Sequence, residues 1–186
     1  MNLVQTELAG LYIIEPKVFE DDRGYFFESF NENVFLQNSI DIRWVQDNQS
    51  KSSYGVLRGL HYQIEPYAQT KLVRFLDGEI LDVVVDIRKG SPSYKKWLGI
   101  RLSSINKKQL LVPKGFAHGF SVLSETAVVF YKCDTFYNPQ AERGIIYDDC
   151  ELAIDWGLAN PDILLSNKDR VLPLFKNAEM NFSYHA

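Results

Sequence analysis

The chain has 186 residues, enough for one domain with a substantial core, and its 46% hydrophobic and 24% charged residues are typical of a globular protein. A net charge of -4 disfavours non-specific binding to nucleic acid or to an anionic membrane surface. No apolar run approaches the ~20 residues that span a bilayer, and the N-terminus lacks the basic and apolar regions of a signal peptide.

The first third of the chain carries one helix signal. The segment "NENVFLQNS" (31–39) predicts a short helix with Asn31 as its N-cap, because that side chain can accept a hydrogen bond from the first turn. We expect few other helices, since most of the remaining apolar residues alternate with polar ones or form short runs.

Residues 56–63, "VLRGLHYQ", predict a strand that contains the first candidate functional residue, His61. Strict alternation places Leu57, Gly59 and His61 on one face, and the glycine leaves room for a ligand beside the histidine. Arg58 then points to the opposite face. Either Gly59 marks a β-bulge, or Arg58 serves a different surface, such as a site completed by another subunit.

The strongest strand signal follows in "KLVRFLDGEILDVVVDIRKG" (71–90), where two apolar runs flank Asp77-Gly78. This pair predicts a β-hairpin with a type I′ turn. In the second arm every other residue is apolar: Leu81, Val83, Val85 and Ile87. A period of two predicts a strand with one apolar face.

Strand signals continue to residue 137. We predict one strand in "WLGIRLS" (97–103), two around a Pro-Gly turn in "KKQLLVPKGFAHGFSVLS" (107–124) and one in "ETAVVFYKCDTFY" (125–137). The segment after Trp156 predicts loops and short turns with at most one helix. Turn signals recur every ~8–12 residues, so we predict a mainly β fold, an antiparallel β-sandwich of the jelly-roll kind with a few short helices, formed as one domain by residues 1–186.

Four residues on this framework have a chemical interpretation beside a structural one. His61 is either a core histidine with satisfied hydrogen bonds or a base. Lys71, at the start of a strand, is either an exposed edge charge or a cation held near a developing oxyanion. Tyr131 is either a core tyrosine or a weak acid, and Asp169 by itself is a surface loop residue.

A metal site is the main rival interpretation of His61. Many jelly-roll proteins bind iron or zinc through a His-x-His pair, a carboxylate and a distant third histidine, but Gln63 stands where the second histidine would be. Only His61 and His118 remain as plausible ligands, so we expect no metal. Cys133 and Cys150 form neither a disulfide framework nor a Cys-x-x-Cys pair, which favours a reducing cytoplasm as the location.

Several long motifs follow one another along nearly the whole chain. They are "EPKVFEDDRGYFFESF", "QDNQSKSSYGVLRGLHYQ", "KLVRFLDGEILDVVVDIRKGSPSYKKW", "LLVPKGFAHGF", "VFYKCDTFYNPQAERGI" and "LSNKDR". In this order they resemble the RmlC family of dTDP-4-dehydrorhamnose 3,5-epimerases, in the cupin superfamily. The resemblance implies a cupin-type jelly roll and an isomerase that acts on a dTDP-linked 4-keto-6-deoxyhexose.

The resemblance also implies roles for the four candidates. His61 matches the base that removes protons from the carbons beside the C4 ketone, and Asp169 matches the carboxylate that orients this base. Tyr131 matches the proposed acid, which returns a proton from the opposite face, and Lys71 matches the cation near the C4 oxygen. Neither a metal nor a redox cofactor is implied, because no electrons leave the substrate.

Further positions match the family's substrate-binding residues. Those that hold the nucleotide and the sugar are Arg23, Glu28, Arg58, His118, Glu142 and Lys168. Gln46 and Asn48 match a polar segment on the same ligand, and Phe26 and Tyr137 match aromatic neighbours of the thymine ring. The N-terminal segment of the family reaches a second subunit, which implies a homodimer in which Arg23 and Glu28 serve the partner's pocket.

The implied reaction is epimerisation of dTDP-4-dehydro-6-deoxy-D-glucose at C3 and C5, through enolates, to dTDP-4-dehydro-L-rhamnose for L-rhamnose supply. A mono-epimerase or a 3,4-ketoisomerase on a similar nucleotide sugar is an alternative, because such relatives keep the same base. A non-catalytic sugar-binding cupin is a third interpretation from a different class. Residue identity alone does not separate these.

Overall fold

The computed structural model describes residues 1–184, which form two antiparallel sheets that pack against each other. The strands are β1 (Asn2–Gln5), β2 (Tyr12–Glu15), β3 (Phe19–Asp21), β4 (Gly24–Phe26), β5 (Gln46–Ser53), β6 (Leu57–Gln63), β7 (Lys71–Asp77), β8 (Glu79–Asp86), β9 (Trp97–Ser103), β10 (Gln109–Val112), β11 (Phe116–Val122), β12 (Thr126–Cys133) and β13 (Glu142–Gly144). One α-helix, α1 (Glu32–Gln37), and three 3₁₀ turns (Asn160–Asp162, Asp169–Val171, Phe175–Asn177) complete the elements. The mainly β prediction is confirmed.

Each sheet combines strands from distant parts of the chain. The six-stranded sheet has the order β1-β2-β10-β7-β12-β5, and the five-stranded sheet has the order β13-β6-β11-β8-β9. Strands β3 and β4 form a separate two-stranded ribbon. Consecutive strands from β5 to β13 therefore lie in opposite sheets, as in a jelly roll, except that β8 and β9 are neighbours in one sheet.

The core between the sheets is built from the inward-facing residues of both. Val73 of β7 and Val129 of β12 meet Val84 of β8 and Phe120 of β11 in one buried cluster. Burial of this apolar surface, at about 25 cal/mol per Å², is the main force that holds the two sheets together. The polar cavity described below lies in the same layer.

The outer face of the five-stranded sheet is also covered. Val83 and Val85 of β8 pack under the C-terminal segment against Trp156 and Phe175. The alternation predicted for this strand is present, but its second face is buried as well. Ile80 and Val84, which share the other face with Asp82, pack against the six-stranded sheet, so Asp82 is completely enclosed between the two sheets.

Helix α1 begins where the sequence predicts. The Asn31 side chain accepts a hydrogen bond from the backbone N–H of Asn33 at 3.1 Å, which satisfies one of the free donors of the first turn. Phe35 is the buried residue of the helix, and it packs with Leu72 and Leu111 on the outer face of the six-stranded sheet. The predicted N-cap is confirmed.

The predicted hairpin at Asp77-Gly78 is wrong. Strand β7 lies in one sheet and β8 in the other, so the chain crosses between the sheets at Gly78. A type I′ turn needs positive φ at both central residues, and of this pair only Gly78 has it, at +79°. A Cβ at position 78 would lie 2.0 Å from the carbonyl oxygen of Thr126, so the glycine allows β12 to pass close by.

Strand β6 departs from regular alternation at its centre. His118 on β11 opposes His61, whereas Phe120 opposes Arg58, so β6 contains one residue more than its partner in this interval. The bulge that the sequence offered as one of two explanations is confirmed. Because of it, Arg58 and His61 line the same cavity, and the prediction that they face opposite sides is wrong.

Gly59 does not leave the predicted room for a ligand beside His61; it allows two strands to approach closely. A Cβ at this position would lie 2.6 Å from the Cα of Gly119, and φ is +119°, so the glycine lets β6 approach β11 closely and leaves no space for a ligand. Leu57 packs with Leu60 and Tyr62 in the cluster beneath the C-terminal segment and also lines the cavity with His61, whereas Gly59 does not line it.

Candidate active site

A cavity of about 510 Å³ lies between the two sheets, within the range typical of small-molecule sites. Both sheets and the C-terminal segment contribute side chains to it. The predicted site residues that line it are Arg58, His61, Lys71, His118, Tyr131, Lys168 and Asp169. Residues far apart in the sequence are thus brought to one place.

His61 is paired with a buried carboxylate. Its Nε2 lies 2.6 Å from Oδ1 of Asp169, whose side chain is 4% exposed. Because a carboxylate accepts, the proton of a neutral ring lies on Nε2, which leaves Nδ1 with a free lone pair. The ring is 27% exposed, so it is held from one side and accessible from the cavity.

Asp169 is itself fixed by its own segment. Ser166 donates its hydroxyl to Oδ2 at 2.9 Å, and the backbone N–H of Asp169 donates to the Ser166 hydroxyl at 3.1 Å. Burial opposes ionisation, but the hydrogen bonds from His61 and Ser166 and the charge of Lys168 outweigh it and hold the pKa of Asp169 below its usual range. Asp169 is therefore an ionised, oriented partner of the imidazole.

Lys71 extends from the opposite sheet, at the start of β7. Its ammonium lies 5.8 Å from the centroid of the Tyr131 ring, and it forms no ion pair with any group of residues 1–184. Burial lowers the pKa of Lys71, and the neighbouring Cys133, Glu142 and Asp82 oppose this effect. Of the two interpretations of Lys71, the exposed edge charge is wrong, because β7 lies between β10 and β12 and the side chain is half-buried.

Tyr131 lies on β12, in the sheet opposite the one that carries His61. Burial, with a smaller effect from Cys133, raises the pKa of Tyr131, while the positive charge of Arg58 opposes the rise. The phenol is therefore protonated at neutral pH. An imidazole and a phenol thus face one cavity from two different sheets.

A polar network surrounds the site beside Lys168. Glu142 forms an ion pair with Lys168 at 2.5 Å and accepts a hydrogen bond from the Tyr137 hydroxyl at 2.6 Å. The backbone N–H of Tyr137 donates to Gln46, which in turn donates to Asn48 at 3.0 Å. These residues are connected to the cavity through Lys168, although they are not among its lining residues.

Three predicted binding residues lie away from the cavity of their own chain. Arg23, between β3 and β4, pairs with Asp21 at 2.5 Å and is largely exposed. Phe26 is exposed, and Glu28 accepts a hydrogen bond from Asn31. The structure does not bring Arg23, Phe26 or Glu28 to the residues that line the cavity.

Two buried residues at the site were not singled out from the sequence. Both carboxylate oxygens of Asp82 lie 2.8 and 2.9 Å from Nε2 of His118. Ser52 accepts a hydrogen bond from Nε of Arg58 at 3.1 Å. The only sequence signal for Asp82 was a charged residue inside a strongly apolar strand.

Within residues 1–184, no group of three or more His, Cys, Asp or Glu side chains is arranged to hold a metal ion. None of the helices in this part of the chain has the length and apolar character needed to cross a membrane.

Comparison with known proteins finds similarity over nearly the whole chain. The sequence profile of a family described as dTDP-4-dehydrorhamnose 3,5-epimerase matches residues 5–177. The dTDP-4-dehydrorhamnose 3,5-epimerase of Shigella flexneri is 55% identical over 170 residues, which cover 91% of this chain and 93% of that protein.

Solved structures also match this chain over nearly its whole length. One is dTDP-6-deoxy-D-glucose-3,5-epimerase from Legionella pneumophila Philadelphia 1, in complex with dTDP-4-keto-L-rhamnose. It has a TM-score of 0.94 and 47% identity, and the match covers 100% of this chain and 99% of that chain. ChmJ, a 3'-monoepimerase from Streptomyces bikiniensis in complex with dTDP-quinovose, has a TM-score of 0.84 and 32% identity, with 91% and 85% covered.

Proposed function

Because the chain belongs to the dTDP-4-dehydrorhamnose 3,5-epimerase family, we propose that its cavity carries out this reaction with His61 as the base. The enzyme is an isomerase that epimerises dTDP-4-dehydro-6-deoxy-D-glucose at C3 and C5 to dTDP-4-dehydro-L-rhamnose. One observation carries the assignment of roles: His61 and Tyr131 enter the same cavity from opposite sheets.

The first step is removal of a proton beside the ketone. A C–H bond at this position becomes acidic because the negative charge of the product spreads onto the C4 oxygen as an enolate. His61 accepts the proton at Nδ1, since Asp169 holds the proton on Nε2 and stabilises the imidazolium that forms. The same cycle serves C5 and C3 in turn.

The enolate oxygen needs a positive partner, and inversion needs a second proton donor. Lys71 supplies the charge at the C4 oxygen, where low water content strengthens the interaction. Tyr131 returns a proton to the face of the ring opposite His61, because one group cannot act on both faces. Asp169, Lys71 and Tyr131 thus complete the catalytic set.

The nucleotide part of the substrate is held by the cationic and polar groups around the cavity. Arg58 suits the pyrophosphate because its planar guanidinium donates two parallel hydrogen bonds, and His118 and Lys168 lie beside it on the wall. Glu142 and Lys168 connect this wall to the polar network of Tyr137, Gln46 and Asn48, which lies next to the thymine.

The site is completed by a second copy of the chain in a homodimer. The β3–β4 ribbon exposes Phe19, Tyr25 and Phe26, and such a patch favours contact with another protein surface. In the dimer Arg23 and Glu28 reach the partner's pocket. Sedimentation should give the mass of two chains, and a fully active monomer would contradict this part of the proposal.

The proposed proton transfers need no redox cofactor, because no electrons leave the substrate, and no metal, because Lys71 supplies the positive charge at the C4 oxygen. Activity that a chelator abolishes and zinc or iron restores would contradict this. The chain acts as a single domain on a soluble nucleotide sugar. We place this reaction in the cytoplasm. Imaging of the protein at the membrane or outside the cell would contradict this location.

Deuterium incorporation tests the function and separates it from the alternatives. In D₂O the wild-type enzyme should place deuterium at both C3 and C5 of dTDP-4-keto-6-deoxyglucose, as followed by NMR. Incorporation at one carbon would indicate a mono-epimerase, which the similarity to ChmJ keeps in view. A moved ketone would indicate a ketoisomerase, and no incorporation would indicate a non-catalytic binding protein.

Removal of the Tyr131 hydroxyl should separate exchange from inversion. In Tyr131→Phe we expect His61 still to exchange the acidic hydrogens, while inversion slows by about 10²- to 10⁴-fold because the second proton donor is missing. NMR in D₂O measures both rates on one sample. Tyr62→Phe, which removes a buried hydroxyl that donates to the Glu179 carbonyl outside the cavity, is the control. Inversion at the wild-type rate in Tyr131→Phe would refute the assignment.

A further inference from the structure

One buried charge at the cavity has no place in the mechanism above. Asp82, in the middle of β8, is completely buried, and within residues 1–184 its hydrogen-bond partner is His118 alone. An enclosed carboxylate is costly unless a nearby group compensates its charge. Asp82 lies behind His118, which lines the cavity, so its negative charge can act on groups that meet the ligand.

We propose that Asp82 is a positioning residue for the epimerisation: it fixes the His118 ring toward the sugar nucleotide and supplies a buried negative charge opposite Lys71. The proposal rests on the function proposed above, because the ligand that His118 and Lys71 meet is the substrate of that reaction. Asp82 itself does not line the cavity.

The first part of the proposal rests on the geometry of two matched histidines. His61 and His118 are opposite each other on β6 and β11, and both rings line the cavity. Each ring has its Nε2 at a buried carboxylate, Asp169 for one and Asp82 for the other. With Nε2 engaged by Asp82, His118 presents Nδ1 as the nitrogen that is left for the ligand.

The two carboxylates differ in their remaining contacts. Asp169 divides its oxygens between His61 and Ser166, so two donors from different segments share its charge. Both oxygens of Asp82 instead converge on one N–H of His118. The His118 ring is therefore held at one nitrogen, Nε2, by the carboxylate of Asp82, and this interaction determines the orientation of the ring.

The second part concerns charge across the cavity. Lys71 enters from the opposite sheet and lines the cavity together with His118, the ring that Asp82 holds. Burial lowers the pKa of Lys71, and Asp82 is one of the groups that oppose this effect. Other charged and titratable groups surround Asp82 and Lys71 on every element at the cavity and its rim. They are Arg58, His61, His118, Cys133, Tyr131, Glu142, Lys168 and Asp169. Loss of the Asp82 charge should let the pKa of Lys71 fall further, so the cation is lost at lower pH.

The chain offers a closely matched control in Asp86. It lies on the same strand and is equally buried, but it accepts hydrogen bonds from Arg88, Ser91 and Ser93. None of these four residues lines the cavity. Asp86→Asn therefore reports the general cost of neutralising a buried carboxylate in β8.

The experiment compares pH profiles of kcat/KM for wild type, Asp82→Asn and Asp86→Asn. We expect Asp82→Asn to lower kcat/KM by about 10²-fold, mostly through KM, and to move the alkaline limb to lower pH. Asp86→Asn should lose thermal stability while KM and the alkaline limb stay at their wild-type values. In a His118→Ala background, Asp82→Asn should add nothing to KM and still move the alkaline limb.

Several outcomes would overturn the inference. A wild-type KM and alkaline limb in folded Asp82→Asn would do so, as would equal changes in Asp86→Asn. If Asp82→Asn does not fold, Asp82→Glu replaces it, since it keeps the charge and displaces the ring: KM should rise while the alkaline limb stays, and a wild-type KM would refute positioning. Absence of deuterium exchange in the wild type would instead refute the proposed function.

Discussion

His61→Asn is expected to slow deuterium exchange and epimerisation by about 10²- to 10⁴-fold, the contribution typical of a general base. Asparagine fills much of the same space and keeps a polar contact near Asp169, but it cannot accept a proton from carbon. Since the nucleotide is held by other groups, binding of dTDP should remain within a few fold of wild type. Exchange at C3 and C5 by NMR and dTDP binding by calorimetry measure the two effects separately.

The control for this variant is the histidine directly opposite. His118→Asn should weaken substrate binding, because this residue lines the same cavity, but it should leave exchange detectable at saturating substrate. The two variants change the same residue type on neighbouring strands. Wild-type exchange in folded His61→Asn would remove the base from the mechanism.

The second large effect is expected for Lys71→Met. Loss of a positioned charge at a developing oxyanion typically costs about 10²- to 10³-fold in kcat. Methionine fills a similar volume in the half-buried position, so the fold should be retained. Single-turnover rates with saturating substrate should fall by this factor, while dTDP binding should change little.

The pKa of Lys71 adds a pH dependence with a defined sign. Because burial lowers this pKa, the ammonium loses its proton, and the enzyme its activity, as pH rises through the lowered value. In Lys71→Met this alkaline limb should disappear from the residual activity. Lys132→Met, on the outer face of the same sheet and paired with Asp47, is the matched control. An unchanged alkaline limb in Lys71→Met would assign it to another group.

Local sequence patterns predicted the seven strands from β6 to β12 and the N-cap of α1, because alternation and capping depend on near neighbours. They did not predict β1 to β5 or β13. They failed at Asp77-Gly78, where a favourable turn dipeptide instead connects two sheets. The deciding contact is the close passage of Thr126, from a later strand. The same limit applies to Gly59, whose neighbour Gly119 belongs to β11.

At the site, too, local pattern predicted some features and missed those that depend on distant parts of the chain. His61, Lys71, Tyr131 and Asp169 are ambiguous as single residues, and their convergence follows only from the sheet order or from the resemblance of long ordered motifs. By alternation alone, Asp82 falls on the face of β8 opposite Leu81, Val83 and Val85, where a strand with one apolar face meets water. Its burial depends on the six-stranded sheet, which packs over the face of β8 that carries Ile80, Asp82 and Val84 and cannot be placed from local pattern.

The most direct test of the account is a crystal structure of this protein with dTDP-4-keto-L-rhamnose bound. We predict that Nδ1 of His61 lies about 3–3.5 Å from the reacting carbons on one face of the hexose, with the Tyr131 hydroxyl on the other face and the Lys71 ammonium at the C4 oxygen. A ring at position 61 turned away from the hexose, or a phenol on the same face as the imidazole, would contradict the mechanism.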